Sequence, residues 1–336
     1  MTEPTPYPLI TVVIPCRNEE NYIGQCIESV AASQYPKERM EVMVVDGRST
    51  DRTREIAEQL CRKYSWLRLL DNPRKTVPYA LNLAIGQARG EWIVRLDAHS
   101  WFPPDYFSKL IRWGTELQAD NVGGVCITRV KKPTPAARAI THVLSSPFGI
   151  GNSLFRTGTA RPTATDTVPF GCFRKTVFDR FGLFNERLTR NQDIEMNRRI
   201  KAKGGKIYLV PEIRCHYFAR EDLKGLASNN FRNGYWNILT VYITRNLRSL
   251  SLRHFIPALF ILSLVIPLLL MPLWPWSWMV SAAVFLSYQI FIFAAMLSLK
   301  NRDCPLSWLW LAFMTLHYSY GAGSLTGLFR IDELLR

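Results

Sequence analysis

The chain has 336 residues, 48% of them apolar, with 42 Lys and Arg against 27 Asp and Glu and a formal net charge of +15. That length holds one large domain or two modest ones, and the charge predicts an anionic partner such as a phosphorylated substrate or an anionic lipid. The basic residues are dispersed without a nucleic-acid fingerprint, which argues against nucleic acid; seven cysteines with no C-x-x-C pairing argue for reduced cytosolic thiols, against a disulfide framework or zinc site.

Met1 to Pro8 carries Glu3 and three prolines and does not read as a signal peptide. Leu9 to Pro15 is a β-branched run expected to form a buried strand. Asn18 is placed to cap a helix on which Ile23, Cys26, Ile27 and Val30 repeat at helical spacing. A second buried strand, Glu41 to Val45, ends at Asp46, and Asp51 or a neighbouring hydroxyl starts the next helix, with Ile56, Leu60 and Cys61 inward. Leu67 to Leu70 is a short third strand, and Tyr79 to Ala88 a helix leading to the run Glu91 to Leu96. Strands alternating with helices predict an α/β fold with a mostly parallel sheet. Such a sheet presents Asn18, Asp46 and Asp97 at the carboxyl ends of its strands, where a nucleotide lies.

Neither G-x-G-x-x-G nor a P-loop lysine motif is present, so a nucleotide site here uses carboxylates. Asp46 and Asp97 can each accept a hydrogen bond from a uracil N–H or a ribose hydroxyl; taken alone, Asp46 before Gly47 reads more readily as a turn aspartate. Asp97 and His99 point to one side if extended backbone persists past the strand. An acid and an imidazole so placed can hold a divalent cation, and the cation a diphosphate; the other reading is a polar turn.

Lys131 to Val168 is rich in Pro, Thr and Gly and contains Phe148-Gly149-Ile150-Gly151-Asn152; it reads as an acceptor-binding lid or a plain loop. Asp222 to Leu250 has Leu226, Phe231, Tyr235, Trp236, Leu239 and Tyr242 among basic residues, the pattern of a helix at a membrane surface or packed in a core. Three apolar segments follow, at about 255–274, 278–299 and 305–329. Gly321, Gly323 and Gly327 weaken the third, which either spans or re-enters. Arg245, Arg248, Arg253 and His254 precede the first segment, Lys300 and Arg302 follow the second, and Trp274-Pro275-Trp276-Ser277-Trp278 joins the two. The positive-inside rule then puts the bulk of the chain in the cytoplasm, tethered from its C-terminal end; a full third span would leave Arg336 outside. The expected division is a catalytic domain at 1–220, interfacial helices at 221–253 and a membrane region at 254–330.

Four ordered stretches resemble glycosyltransferase family 2: Thr11-Val12-Val13-Ile14-Pro15-Cys16-Arg17-Asn18-Glu19, Val45 to Thr53, Arg89 to His99, and Phe170 to Lys175 with Phe184-Asn185-Glu186 and Asn191-Gln192-Asp193-Ile194-Glu195. The D-A-H ending and the apolar C-terminal segments resemble the succinoglycan-type, ExoA-like members. The resemblance implies a GT-A fold, a nucleotide-diphosphate sugar donor, here expected to be a UDP-hexose, and inversion at the anomeric carbon. It matches Pro15, Arg17 and Glu19 to the nucleotide loop, Asp46 to the base-binding aspartate, Asp97 to the first acid of D-x-D, and Asp193 to the general base. His99 replaces the second D-x-D acid, so it is a ligand for Mg²⁺ or Mn²⁺, a phosphate donor or a turn cap. Gln192 stands where a Glu is frequent, and Glu195 is the alternative acid.

The expected activity is transfer to a hydroxyl of a polyprenyl-diphosphate-linked saccharide, in exopolysaccharide or cell-surface glycan synthesis at the inner (plasma) membrane. The alternatives are a polyprenyl-phosphate sugar synthase, whose acceptor needs no base, and a non-catalytic nucleotide-sugar-binding subunit.

Overall fold

The structure, a computed structural model, describes residues 7–247, 250–299 and 303–330. Arg248, Lys300, Arg302 and Arg336, which carry part of the charge argument above, lie outside the described residues, as do residues 1–6. The elements in chain order are β1 (Ile10–Cys16), α1 (Ile23–Ala31), β2 (Met40–Asp46), α2 (Thr53–Lys63), β3 (Leu67–Asp71), α3 (Val77–Gln87), β4 (Trp92–Arg95), β5 (Ser100–Trp101), α4 (Tyr106–Glu116) and β6 (Asn121–Arg129). Next come α5 (Pro135–Leu144), α6 (Pro147–Ile150), α7 (Leu154–Thr157), β7 (Thr163–Ala164), β8 (Cys172–Arg174), α8 (Thr176–Phe181), α9 (Gln192–Ala202) and β9 (Ile207–Phe218). The chain closes with α10 (Leu223–Thr244), α11 (Ile256–Leu269), α12 (Trp278–Ser298) and α13 (Leu306–Leu328). Two compact units result: Met1–Ile127 with Leu154–Tyr217, and Thr128–Ser153 with Phe218–Arg336.

The first unit is built on a sheet of order β3-β2-β1-β4-β8-β6-β9-β5, with β7 paired to β9. Its first half is parallel, as the alternation of strands and helices predicts. Beyond β4 the pairing turns antiparallel, so the sheet is mixed rather than mostly parallel. Of the strands in this half, β5, β7 and β8 are two or three residues long, too short to leave a period-2 pattern in sequence, whereas β6 and β9 have 9 and 12 residues. β1 and β2 are buried along their whole length, and their side chains alternate between two cores. Val12, Ile14, Val42 and Val44 pack with Ile23, Cys26 and Ile27 of α1 and Phe107 and Leu110 of α4. Val13, Met43 and Val45 pack with Leu81 and Ala84 of α3 and Met196 and Ile200 of α9 on the other face. Covered on both faces, the sheet leaves its strand ends as the place for polar chemistry.

Glu41 marks a polar exception inside this core. Thr11 Oγ1 donates to Glu41 Oε1 at 2.5 Å, the Arg89 backbone N–H donates to the same oxygen at 2.6 Å, and Arg89 Nε donates to Oε2 at 3.0 Å. Burial alone would raise the carboxyl; these hydrogen bonds outweigh it and hold Glu41 below the ordinary carboxylate range. The network ties β1, β2 and the turn into β4 together.

The second unit is helical. Residues 131–153, readable from sequence as a plain loop, form α5 and α6 with Pro at the start of each, and Thr134 caps α5 by accepting from the Ala137 N–H. Ala139, Ile140 and Val143 of α5 share a core with Leu226 of α10, Ile292 and Ala295 of α12, and Ala312 and Phe313 of α13. α13 runs unbroken for 23 residues. Its glycines are backbone contact points: a Cβ on Gly323 would lie 2.0 Å from the Phe231 carbonyl oxygen, and one on Gly327 2.9 Å from the Tyr235 carbonyl oxygen. The approach is mutual, since a Cβ on Gly234 of α10 would lie 2.0 Å from the Tyr320 carbonyl oxygen. Small residues that let helix backbones meet are a mark of helix pairs in membranes.

Among the described residues, Pro275–Ser298 is the helix long and apolar enough to cross a bilayer. The first expected span is shorter than sequence suggests. α11 has 14 residues, about 21 Å, against a hydrocarbon core of roughly 30 Å. Pro272 accounts for the stop: the chain leaves the helix at Leu270, two residues before a proline that lacks an N–H and disfavours helical backbone at Met271.

Candidate functional site

The carboxyl ends of β1, β2 and β4 lie side by side, with Cys16 registered against Asp46 and Val13 against Arg95. The loops that leave β1 and β2 are laced together. Asn18 adopts a left-handed conformation (φ 56°), its N–H donates to Ser49 Oγ at 2.9 Å, and its side-chain oxygen accepts from the Thr50 N–H at 2.8 Å. It therefore does not cap α1, whose N-cap is Tyr22. The Glu19 N–H donates to Thr53 Oγ1 at 2.7 Å, and Asp51 Oδ1 accepts from Thr53 N–H at 3.0 Å. Gly47 allows the close approach: its N–H donates to the Cys16 carbonyl at 2.8 Å, and a Cβ there would come within 3.2 Å of Arg17 Cβ. Much of the V-D-G-x-S-T-D pattern is thus loop architecture.

Asp46 is fully buried at the end of β2. Ser49 Oγ donates to its Oδ1 at 2.6 Å, and Arg54 Nη1 lies 3.6 Å from its Oδ2. Its carboxylate is fixed before any ligand arrives. Pro15 is buried beside it, Arg17 is exposed on the loop, and Glu19 is half-buried.

Asp97 lies two residues past β4, and the chain turns at Ala98 and His99. The extended backbone that would have put Asp97 and His99 on one side by alternation therefore does not persist. Glu19 meets His99 instead, with its Oε1 3.2 Å from Nδ1. A carboxylate only accepts, so Nδ1 is the donor here, and in its neutral form the imidazole carries its lone pair on Nε2. A histidine oriented by a carboxylate in this way is a usual arrangement for a metal ligand. A cation held by Asp97 and His99 together would meet oxygen and nitrogen donors, a set that suits Mn²⁺ better than Mg²⁺. Tyr217 packs edge-on against His99, with ring centroids 4.9 Å apart.

Asp193 sits in the first turn of α9, where the N-terminal end of the helix favours its negative charge, and its Oδ1 accepts from the Ile194 N–H at 2.9 Å. Glu195 is paired with Arg199 one turn on, at 2.8 and 2.9 Å. Arg199 in turn donates to the Phe181 and Leu183 carbonyls, so Glu195 fastens α9 to its neighbours.

Sequence reasoning missed Arg95. It ends β4, its side chain is 9% exposed, and it joins the two acids: Nη2 donates to Asp97 Oδ1 at 3.1 Å, and Nη1 to Asp193 Oδ2 at 3.3 Å. The signal was present, since a lone charge inside the run Trp92-Ile93-Val94-Arg95-Leu96 shares its strand face with Asp97. Burial alone would lower Arg95; the charges of Asp97 and Asp193 outweigh it and keep the guanidinium charged. Burial, followed by the Asp46 and Glu19 charges, pushes the Cys16 thiol up. Burial, then Asp97 and Glu19, does the same to Cys26. Both thiols stay protonated and are poor nucleophiles.

The family profile described as glycosyl transferase family 2 matches residues 11–183. The succinoglycan biosynthesis protein ExoA of Rhizobium meliloti is 28% identical over 93% of this chain and 92% of its own. A dolichyl N-acetyl-α-D-glucosaminyl phosphate 3-β-D-2,3-diacetamido-2,3-dideoxy-β-D-glucuronosyltransferase of Methanococcus voltae is 27% identical over 69% of this chain and 77% of its own. Among solved structures, the mannosyltransferase PcManGT of Pyrobaculum calidifontis, in complex with GDP-Man and Mn²⁺, superposes with a TM-score of 0.61 at 20% identity, covering 97% of this chain and 89% of that one. TarS 1–349 of S. aureus with UDP-GlcNAc gives 0.52 at 17% identity, over 95% and 91%. At these identities the structural likenesses establish the GT-A fold.

Proposed function

The chain belongs to glycosyltransferase family 2, and on that footing we propose that it is an inverting transferase using a UDP-hexose donor and a hydroxyl of a polyprenyl-diphosphate-linked saccharide as acceptor. The observation that carries the reading is the meeting of Asp97 and Asp193 at one guanidinium, which gathers a donor-side acid and an acceptor-side acid in one place. A relative whose name describes a dolichyl-phosphate-linked sugar acceptor supports the lipid-linked substrate. The apolar helix Pro275–Ser298 supports attachment to a membrane; the inner membrane, with the sheet unit on the cytoplasmic face, is the placement the basic residues flanking the apolar segments favour.

In this mechanism Asp46 and the loop of Pro15, Arg17 and Glu19 hold the nucleotide. Asp193 takes the acceptor proton as the hydroxyl attacks the anomeric carbon from the face opposite the diphosphate, a contribution of about 10²–10⁴ in rate. The transition state is oxocarbenium-like. A divalent cation held by Asp97 and His99 would offset the charge gathering on the leaving diphosphate. One displacement suffices, and Cys16 and Cys26, protonated and buried, take no part.

The test is transfer by the full chain in detergent, given a panel of UDP- and GDP-sugars and a membrane lipid extract, with sugar followed into the organic phase. Asp193→Asn is expected to abolish transfer while nucleotide binding survives. Near-normal turnover in that variant overturns the base assignment and favours a polyprenyl-phosphate sugar synthase, whose acceptor is already an anion. Binding without transfer under any cation overturns catalysis altogether.

A further inference from the structure

Arg95 is an expensive residue to bury. Its Nε is buried and has no hydrogen-bond partner among the described residues, while Nη1 and Nη2 are committed to Asp193 and Asp97. Buried ion pairs of this kind are often no more stabilising than well-packed apolar side chains of similar volume, so its placement calls for a functional account. Two properties of the group matter. The guanidinium is a rigid planar fork, and accepting from its two arms fixes the carboxylates of Asp97 and Asp193 relative to each other. It is also a fixed positive charge 3.1 Å from Asp97 Oδ1, on the carboxylate that a cation would use.

We propose that Arg95 is a positioning residue that couples the donor side of the site to the acceptor side: it aims Asp193, and it competes with the divalent cation for Asp97. The inference rests on the reading of Asp97 as a cation ligand and Asp193 as the base. The competition has a consequence for loading. With no nucleotide bound, the guanidinium repels a cation approaching Asp97. A donor diphosphate adds negative charge at the same place and relieves that repulsion, so cation and donor load together. Within the sheet unit this makes one residue both the brace of the base and the brake on the cation.

The experiment uses the full chain in detergent, measuring Mn²⁺ affinity by the free-Mn²⁺ paramagnetic signal, with and without UDP or GDP, alongside transfer kinetics and thermal melts. Arg95→Met is expected to bind Mn²⁺ at least tenfold more tightly without nucleotide, to lose most of the nucleotide's enhancement of Mn²⁺ affinity, and to lose at least a hundredfold in kcat. Arg95→Lys, which restores the charge but not the fork, is expected to return Mn²⁺ affinity to near wild type while kcat stays at least tenfold down. If Arg95→Met does not fold, Arg95→Gln takes its place with the same expectations. Unchanged or weaker Mn²⁺ binding in the neutral variant overturns the competition, and kcat within threefold of wild type in Arg95→Lys overturns the positioning. Tightened Mn²⁺ binding in a protein whose wild type transfers no sugar leaves the coupling standing and removes the proposed function, so the two fail separately.

Discussion

The sheet unit and the helical unit treat charge and apolar surface in opposite ways. In the first, Glu41, Asp46 and Arg95 are buried, each held by named partners. In the second, large apolar side chains stand in the open: Leu259 at 62%, Ile290 at 72% and Leu273 at 85% exposure. Of these helices, α10 and α13 meet through glycine, backbone against backbone, beside the apolar core they share with α5 and α12. Buried charge is stable where partners are fixed by a surrounding core, and an apolar exterior this extensive belongs against lipid or another partner. The same residue type therefore means different things in the two units. A glycine at Gly47 lets the loops after β1 and β2 approach closely, whereas Gly323 lets two helices touch.

The largest expected effect breaks the helical half of this comparison. Gly323→Leu drives a side chain into the Phe231 carbonyl, 2.0 Å from where its first carbon would sit. Overpacking ordinarily costs about 1–3 kcal/mol, and a contact with rigid backbone belongs at or above the top of that range. The purified variant is expected to lose its cooperative melt in detergent; a melting temperature within a few degrees of wild type would mean that α10 and α13 do not hold each other in solution.

The next effect belongs to the sheet half. Glu41→Gln keeps one acceptor oxygen for the Thr11 hydroxyl and the Arg89 N–H but turns an amide NH2 toward Arg89 Nε, a loss on the order of 2 kcal/mol. Because the Glu41 carboxyl is held below its ordinary value, its contribution is present above the unfolded glutamate pKa of about 4.3. It fades as pH falls through the lower folded value. Urea titrations of both proteins should therefore show a gap near pH 7 that closes in acid; a gap independent of pH would place the stabilisation in shape rather than charge.

These two positions also show what could be read in advance. The apolar strands Leu9–Pro15 and Glu41–Val45 announce themselves because burial on both faces demands continuous β-branched runs. Asp46 and Asp97 stand out because strand ends are where open sheets place polar groups, while Asp193 is reached only through the resemblance to the family. Arg95 escaped because its meaning depends on Asp193, a partner 98 residues away whose position only the folded sheet supplies. Gly321, Gly323 and Gly327 escaped because helix propensity, which counts each glycine as a loss, describes a helix in water. Their gain appears only once α10 is against α13, and no local pattern in residues 305–329 names that neighbour. In the antiparallel half of the sheet β5 and β7 were hidden by strand length, since two residues cannot show alternation.

The smallest expected effect asks what replaced the second acid of D-x-D. Glu19 fixes the His99 ring through Nδ1, so the imidazole is oriented before any cation arrives. His99→Asp substitutes a hard oxygen donor for nitrogen and sets a second carboxylate beside Glu19. The cation must then hold two anions together, which favours Mg²⁺ more than the imidazole does. Transfer is expected to stay within about tenfold of wild type, roughly 1.4 kcal/mol in the barrier, with preference moving from Mn²⁺ toward Mg²⁺. His99→Ala separates the remaining roles. If the ring binds the cation, Mn²⁺ affinity falls; if it donates to the diphosphate, nucleotide affinity falls while cation preference holds. If neither changes, the pair with Glu19 only closes the turn after β4, and Asp97 holds the cation with the diphosphate alone.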